Sequence, residues 1–191
     1  MDAWARKSTL GGTRIRTEMN ARESGMLRSL VESLNGMLDK RRQEAPEDDL
    51  TRLTGMRLAG TEPPRDAALA RLLPDFHRPE VEHDPVEQEM QSIESGGLRS
   101  LHELGIIEAK QSAAALILAT LPPTGGRISL TREQAELWLR GINDVRLVLG
   151  TVIGVDADTP DRLPEDDPRA AYLDVYHWMT WMQDSLLDAV G

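Results

Sequence analysis

Four histidines, a run of aspartates and two side chains that break their local pattern are the residues here whose chemistry asks for an explanation. His77, His83, His102 and His177 lie far apart, with no H-E-x-x-H and no i, i+4 pair, so helical spacing assembles no metal or hydrolase motif from them. Asp156, Asp158 and Asp161 begin like a calcium loop. Such a loop needs Gly at its sixth position and Glu at its twelfth, where this chain has Asp161 and Asp167, with Pro160 between. No G-x-G-x-x-G, phosphate loop or G-x-S-x-G elbow is present. Cysteine is absent, which excludes thiolate metal sites, thiol nucleophiles and disulfide chemistry in this chain. No catalytic residue, metal ligand or cofactor is therefore assigned.

The two pattern-breakers sit on the last two helical stretches. On a wheel of 131–150 the apolar arc holds Ala135, Trp138, Leu139, Ile142, Val145 and Leu149, and Arg146 falls inside it. A guanidinium in such an arc must find a carboxylate or several carbonyls, because an unpaired buried charge costs several kcal/mol. Asp174 and Asp184 of the last helix are the expected partners in a buried ion pair. Over 168–190 the apolar face holds Val175, Trp178, Met179, Met182, Leu186 and Val190. Trp181 lies on the opposite, polar face with Asp174, His177, Asp184 and Asp188. It is either covered by another segment of the chain or kept for a partner, which makes Trp181, His177 and Asp188 a candidate interface.

The elements that carry these residues are mostly helices. Met26, Leu27, Leu30, Leu34, Met37 and Leu38 recur at spacings of three and four within 20–43. A short helix is expected in EDDLTRLTGM after Pro46, with Asp48 and Asp49 at its start, another at 66–73, and a further one at 84–95. Residues 97–120 become apolar on every side after Ser112, the mark of a buried helix, and Pro122-Pro123 end it. Helices at 131–150 and 168–190 complete the set, with loops at 74–83 and 156–168. GGTRIRTEMNARE and GGRISLTREQAE both read as a short strand, a cap and an amphipathic helix. Thr131 and Gln134 make a capping box, and Asn20 is the matching N-cap. Pairing 13–19 antiparallel with 126–131 satisfies both strands. The fold class is mainly α: residues 1–11 a flexible segment, and 12–191 a single helical domain with a two-stranded β element.

The 191 residues suit one domain. The longest apolar run, AAALILA at 113–119, is too short for a membrane span, and no apolar segment follows the N-terminal basic residues as a secretory signal would require. A cytoplasmic protein is expected. The net charge of −10 is uneven: residues 1–46 hold nine Lys/Arg against six Asp/Glu, and the remainder thirteen against twenty-six. Direct nucleic-acid binding is disfavoured, since only the first segment would attract phosphate.

The runs LRSLVESL (27–34), DDLTRLTGM (48–56), RLLPDFHRP (71–79), GINDVRLVLG (141–150) and DVYHWMTWMQDSLL (174–187) carry a resemblance. From about residue 12 onward the chain resembles an actinobacterial family that includes the oxidative-stress transcriptional regulator AosR. The resemblance implies a mainly helical bacterial regulator acting through a protein partner, a stress-response sigma factor or RNA polymerase. Redox sensing in the regulator-like members is attributed to cysteines, which this chain lacks. The expected function is thus a non-enzymatic regulator without cysteine-based sensing, with a homodimer compatible with the same interface. Two alternatives stand beside it: an enzyme or small-ligand-binding protein with a site near Arg146 and the last helix, or an adaptor linked to Clp proteolysis.

Overall fold

The computed structural model describes residues 1–9, 12–45, 58–76, 85–164 and 166–191. Among them are five helices and a three-stranded antiparallel sheet: β1 (Ala5–Thr9), β2 (Gly12–Met19), α1 (Ala21–Gln43), α2 (Ala67–Leu72), α3 (Pro85–Thr120), β3 (Gly126–Leu130), α4 (Arg132–Ile153) and α5 (Ala170–Val190). The helix expected after Pro46, with Asp48 and Asp49, lies outside the described residues, as do His77, His83 and the loop from residue 77 to 83. The sequence reading treats 12–191 as one domain; the residues group as two compact units, Met1–Asn35 with Lys110–Gly191, and Gly36–Ala109.

The first unit contains the sheet. β2 and β3 pair antiparallel as expected, with Ile15 opposite Leu130 and Thr17 opposite Ile128. The β element has three strands and not two, because Ala5–Thr9, read as part of a flexible segment, pairs antiparallel with β2 at the edge of the sheet. Its sequence, ARKST, has no apolar alternation to announce a strand. What ties it down is tertiary: the Trp4 amide donates to Ser185 Oγ at 3.2 Å, and Arg6 Nη2 donates to the Val190 carbonyl at the end of α5 at 2.8 Å. Ile15, Thr17, Met19, Ile128 and Leu130 alternate onto the buried face, the period-two pattern of a half-covered sheet. They meet α4 there, and α4 packs in turn along α5. Trp138 is fully buried at the centre, with Trp4 edge-on at 5.4 Å and Thr120 Oγ1 accepting its indole N–H at 2.9 Å.

The two strand–cap–helix repeats share one local solution. Thr131 and Gln134 form the reciprocal capping box at α4. Asn20 Oδ1 accepts from the Glu23 amide at 2.9 Å while Glu23 Oε2 accepts from the Asn20 amide at 2.8 Å, so α1 has the same box. Between them, the turn before β3 passes close to the start of α1. A Cβ on Gly125, whose φ is +80°, would lie 2.6 Å from Asn20 C and Ala21 N, so only glycine fits.

The second unit comprises the last turns of α1, α2 and α3 as far as Ala109. Leu38, Ala68, Leu69, Leu72, Leu73 and Ile107 are among its buried apolar residues, and Asp66 caps α2 by accepting from the Leu69 amide at 2.9 Å. The separate helices expected at 84–95 and 97–120 are one continuous helix. The Gly96-Gly97 pair weakens a helix without forbidding it, and Gly96 has a packing reason to be there, since a Cβ would sit 3.2 Å from that of Thr61.

Candidate functional site

Along α5, positions 174, 177, 181, 184 and 188 alternate steps of three and four residues, so they fall on one stripe of the helix. Asp174, His177, Trp181, Asp184 and Asp188 are all exposed. Met179, Met182, Leu186, Ala189 and Val190 hold the opposite face in the core. Trp181 keeps 43% of its surface open, and Leu187 beside the stripe keeps 58%. Of the two outcomes the sequence allowed for Trp181, burial under another segment is not the one found. The candidate interface residues Trp181, His177 and Asp188 therefore share one accessible face. That face can bury an aromatic surface and place three carboxylates around it.

The buried ion pair expected between Arg146 and Asp174 or Asp184 does not form among the described residues. Arg146 is half-buried and its guanidinium carbon lies 5.7 Å from the centre of the Tyr176 ring, while Nε has no hydrogen-bond partner. The reason is rotational. Both aspartates stand on the outer stripe of α5, whereas Tyr176 turns toward α4, where the missing side chain of Gly150 leaves room for its ring: a Cβ there would lie 3.0 Å from it. An aromatic face thus replaces the carboxylate, a weaker cation–π partner. The cavities described below are not lined by Arg146.

The charges that are buried and paired lie elsewhere. In the first unit Lys110 Nζ donates to Asp144 Oδ1 at 2.7 Å, with side-chain exposures of 19% and 7%. Burial pushes the Asp144 carboxyl up, and the hydrogen bond and charge of Lys110 oppose that rise. In the second unit Arg99 is 1% exposed and Glu103 2%, one helical turn apart on α3. Arg99 donates to Glu103, to Asp75 at 2.6 Å and to the Leu73 carbonyl at 3.3 Å, and its guanidinium carbon lies 6.0 Å from the Phe76 ring centre. Arg41 Nε reaches the other oxygen of Glu103 at 2.7 Å, and Arg41 Nη2 donates to the Glu62 carbonyl at 2.7 Å. The network borders two cavities of about 580 and 410 Å³, the larger lined by Thr61, Asp75, Ile93, Gly96 and Arg99 among others. Every cation in this network is already engaged with a carboxylate or carbonyl, so it reads as structure.

Sequence reasoning missed both networks. Gly96, Arg99, Glu103 and Ile107 are all buried and follow steps of three and four, so a wheel of 96–107 could have put the pair in the core. Asp144 stands two residues before Arg146 but, at about 100° per residue, nearly opposite that apolar arc, so the wheel put it on the polar side and only the tertiary packing buries it. The exposed His102 lies 6.1 Å from Phe76, and His177 is 6.0 Å from Tyr176. Among the described residues no group of three or more His, Asp or Glu could hold a metal ion, and no helix is long and apolar enough to cross a membrane.

Comparison with known proteins adds what the geometry cannot. A family model described as a domain of unknown function, DUF2017, matches residues 1–190. Proteins named oxidative stress regulator AosR from Mycobacterium bovis and Mycobacterium tuberculosis are each 39% identical over 186 residues, covering 96% of this chain and 85% of the relative. A Mycobacterium leprae relative is 38% identical over 189 residues, covering 98% of this chain and 87% of its own length. No solved structure matches.

Proposed function

This chain belongs to the DUF2017 family, and from that membership we propose that it is a bacterial regulatory protein that performs no catalytic step and acts through a protein partner seated on the outer face of α5. The relatives' name, oxidative stress regulator, supports the regulatory role. The observation that carries the surface is Trp181, a large aromatic left open in the middle of a regular stripe with Asp174, His177, Asp184 and Asp188. Tryptophan is enriched among the residues that dominate binding energy, and a folding role would have covered it. The partner is a stress-response sigma factor or RNA polymerase, as the family resemblance implies. Regulation proceeds without a cysteine switch, since this chain has no cysteine to oxidise.

The test is binding of the purified protein to stress-response sigma factors and to core RNA polymerase from the same bacterium, followed by calorimetry. The proposal expects one of them to bind and Trp181→Ala to weaken binding by more than about 1 kcal/mol, with the melting temperature unchanged. Binding that ignores Trp181→Ala refutes the surface. Absence of binding to either class, with capture of Clp components instead, refutes the partner.

A further inference from the structure

A second surface emerges from the register of the sheet. Ile15, Thr17, Met19, Ile128 and Leu130 face the core, so the intervening positions face outward. Those positions are Arg14, Arg16 and Glu18 on β2 and Arg127 and Ser129 on β3, with Lys7 of β1 directly opposite Arg14 and Ala5 opposite Arg16. Lys7 and Arg127 are exposed and Arg14 and Arg16 half-exposed. None of these four cations takes part in an ion pair among the described residues; Arg16 Nε donates to Ser129 Oγ at 3.2 Å. Glu18 tempers the face. Glu133 at the start of α4 adds a second carboxylate near Arg14, its ionised form held by its own backbone amide and Thr131.

This concentration of charge is not what strand formation selects. Like charges directly opposite in an antiparallel pair are destabilising, and threonine or valine would serve an outer strand position better. Nor does it follow from composition, since the chain as a whole carries −10. Four cations are thus gathered on one small sheet, with Lys7 and Arg14 directly opposed at a local cost and Arg127 opposite Glu18; three of the four are arginines, whose planar fork matches a carboxylate.

We infer that the outer face of the β1–β2–β3 sheet docks an acidic segment of a partner protein. Charge complementarity selects the sign of the occupant. The face offers Ala5, Lys7, Thr9, Arg14, Arg16, Glu18, Arg127 and Ser129, with no aromatic side chain on which a base could stack. The acidic remainder of the chain would repel a long phosphate backbone, whereas a short acidic peptide meets only the sheet. This surface is distinct from the α5 stripe and stands or falls separately from it.

The probe is a short fluorescein-labelled peptide rich in Asp and Glu, titrated with the full chain by anisotropy at low and moderate salt. A short DNA duplex with the same label is measured in parallel. The expected result is peptide binding that weakens with salt and falls at least about tenfold in the Lys7→Ser/Arg14→Ser/Arg16→Ser variant. The control Arg140→Ser/Arg162→Ser, which removes exposed arginines outside the sheet, should bind as the parent does. The sheet variant should also melt no lower than the parent, because a repulsive cross-strand pair has gone, and that result separates lost docking from lost folding. The inference is overturned by no peptide binding, by equal losses in both variants, or by duplex DNA that binds more tightly than the peptide and is lost in the same sheet variant.

Discussion

Replacing Lys110 by Met tests whether the Lys110–Asp144 pair is an electrostatic necessity of the first unit. The Asp144 side chain is 7% exposed and that of Lys110 19%, so the two partners are unequal: Lys110 can rehydrate more readily than Asp144. Stranding a buried charge costs about 3–5 kcal/mol. The partial opening at Lys110 favours the lower end, about 3 kcal/mol at neutral pH. The pH dependence gives a sharper signature. Burial already holds the Asp144 carboxyl above its usual range against the pull of Lys110, and removing Lys110 removes that opposing pull. A carboxyl whose folded pKa exceeds the unfolded one contributes stability that is fully present below the unfolded pKa and is lost as pH rises through the folded pKa. The folded variant then holds a proton that the unfolded chain releases, so its stability relative to the parent should climb as pH falls from 7, by up to about 1.4 kcal/mol per pH unit. Urea unfolding followed by tryptophan fluorescence reads this unit specifically, since Trp4, Trp138, Trp178 and Trp181 all lie in it. Asp144→Asn should cost about 1 kcal/mol, and Lys110→Met/Asp144→Leu should return to within about 1 kcal/mol of the parent. A Lys110→Met loss below about 1 kcal/mol, or one equal at pH 5 and pH 7, would show that water reaches Asp144 and refute the reasoning.

Gly125→Ala should lose more than the 1–3 kcal/mol or so expected of a positive φ alone, because the new Cβ meets backbone at 2.6 Å. Gly12→Ala, at φ +98° with open space around it, should lose only that backbone contribution; equal urea midpoints for the two would contradict the close approach. In the second unit, Arg99→Met and Arg41→Met each leave Glu103 one cationic partner, and together they leave it none. The double variant should therefore exceed the sum of the singles by more than about 1 kcal/mol in far-ultraviolet circular dichroism melts, and simple additivity would refute the shared role of Glu103. Thr131→Ala, which opens the capping box of α4, should cost about 1 kcal/mol in the same assay.

What the sequence disclosed and what it hid divide along the range of the interactions. The Thr131–Gln134 capping box, the Asn20 cap, the β2–β3 pairing and the apolar faces of α1, α4 and α5 are set within a few residues or repeated in the text, so pattern alone finds them. The strand β1 was hidden because ARKST has no apolar alternation; it pairs with the neighbouring β2, and the contacts that tie this segment to α5, at Ser185 and Val190, lie at the far end of the chain. The Gly96-Gly97 pair reads as a break, yet the helix runs through it, held where Thr61 crowds against Gly96.

The candidate site shows the same division at the scale of single side chains. A helical wheel separates the two faces of one helix, and it separated Trp181 and its acidic neighbours from the core of α5 correctly. It carries no information on how one helix is rotated against another, and that rotation decides whether Arg146 meets an aspartate or the Tyr176 ring. Pairing Arg146 with Asp174 or Asp184 assumed that α5 turns its acids inward; the buried Met179, Met182 and Leu186 already required those acids to lie outside. A charge on an apolar arc therefore predicts a partner of some kind, and the partner's chemistry must be read from the side of the neighbouring helix that packs against it. For Arg146 that side offers an aromatic ring, which leaves the carboxylates of α5 unspent and available at the surface around Trp181.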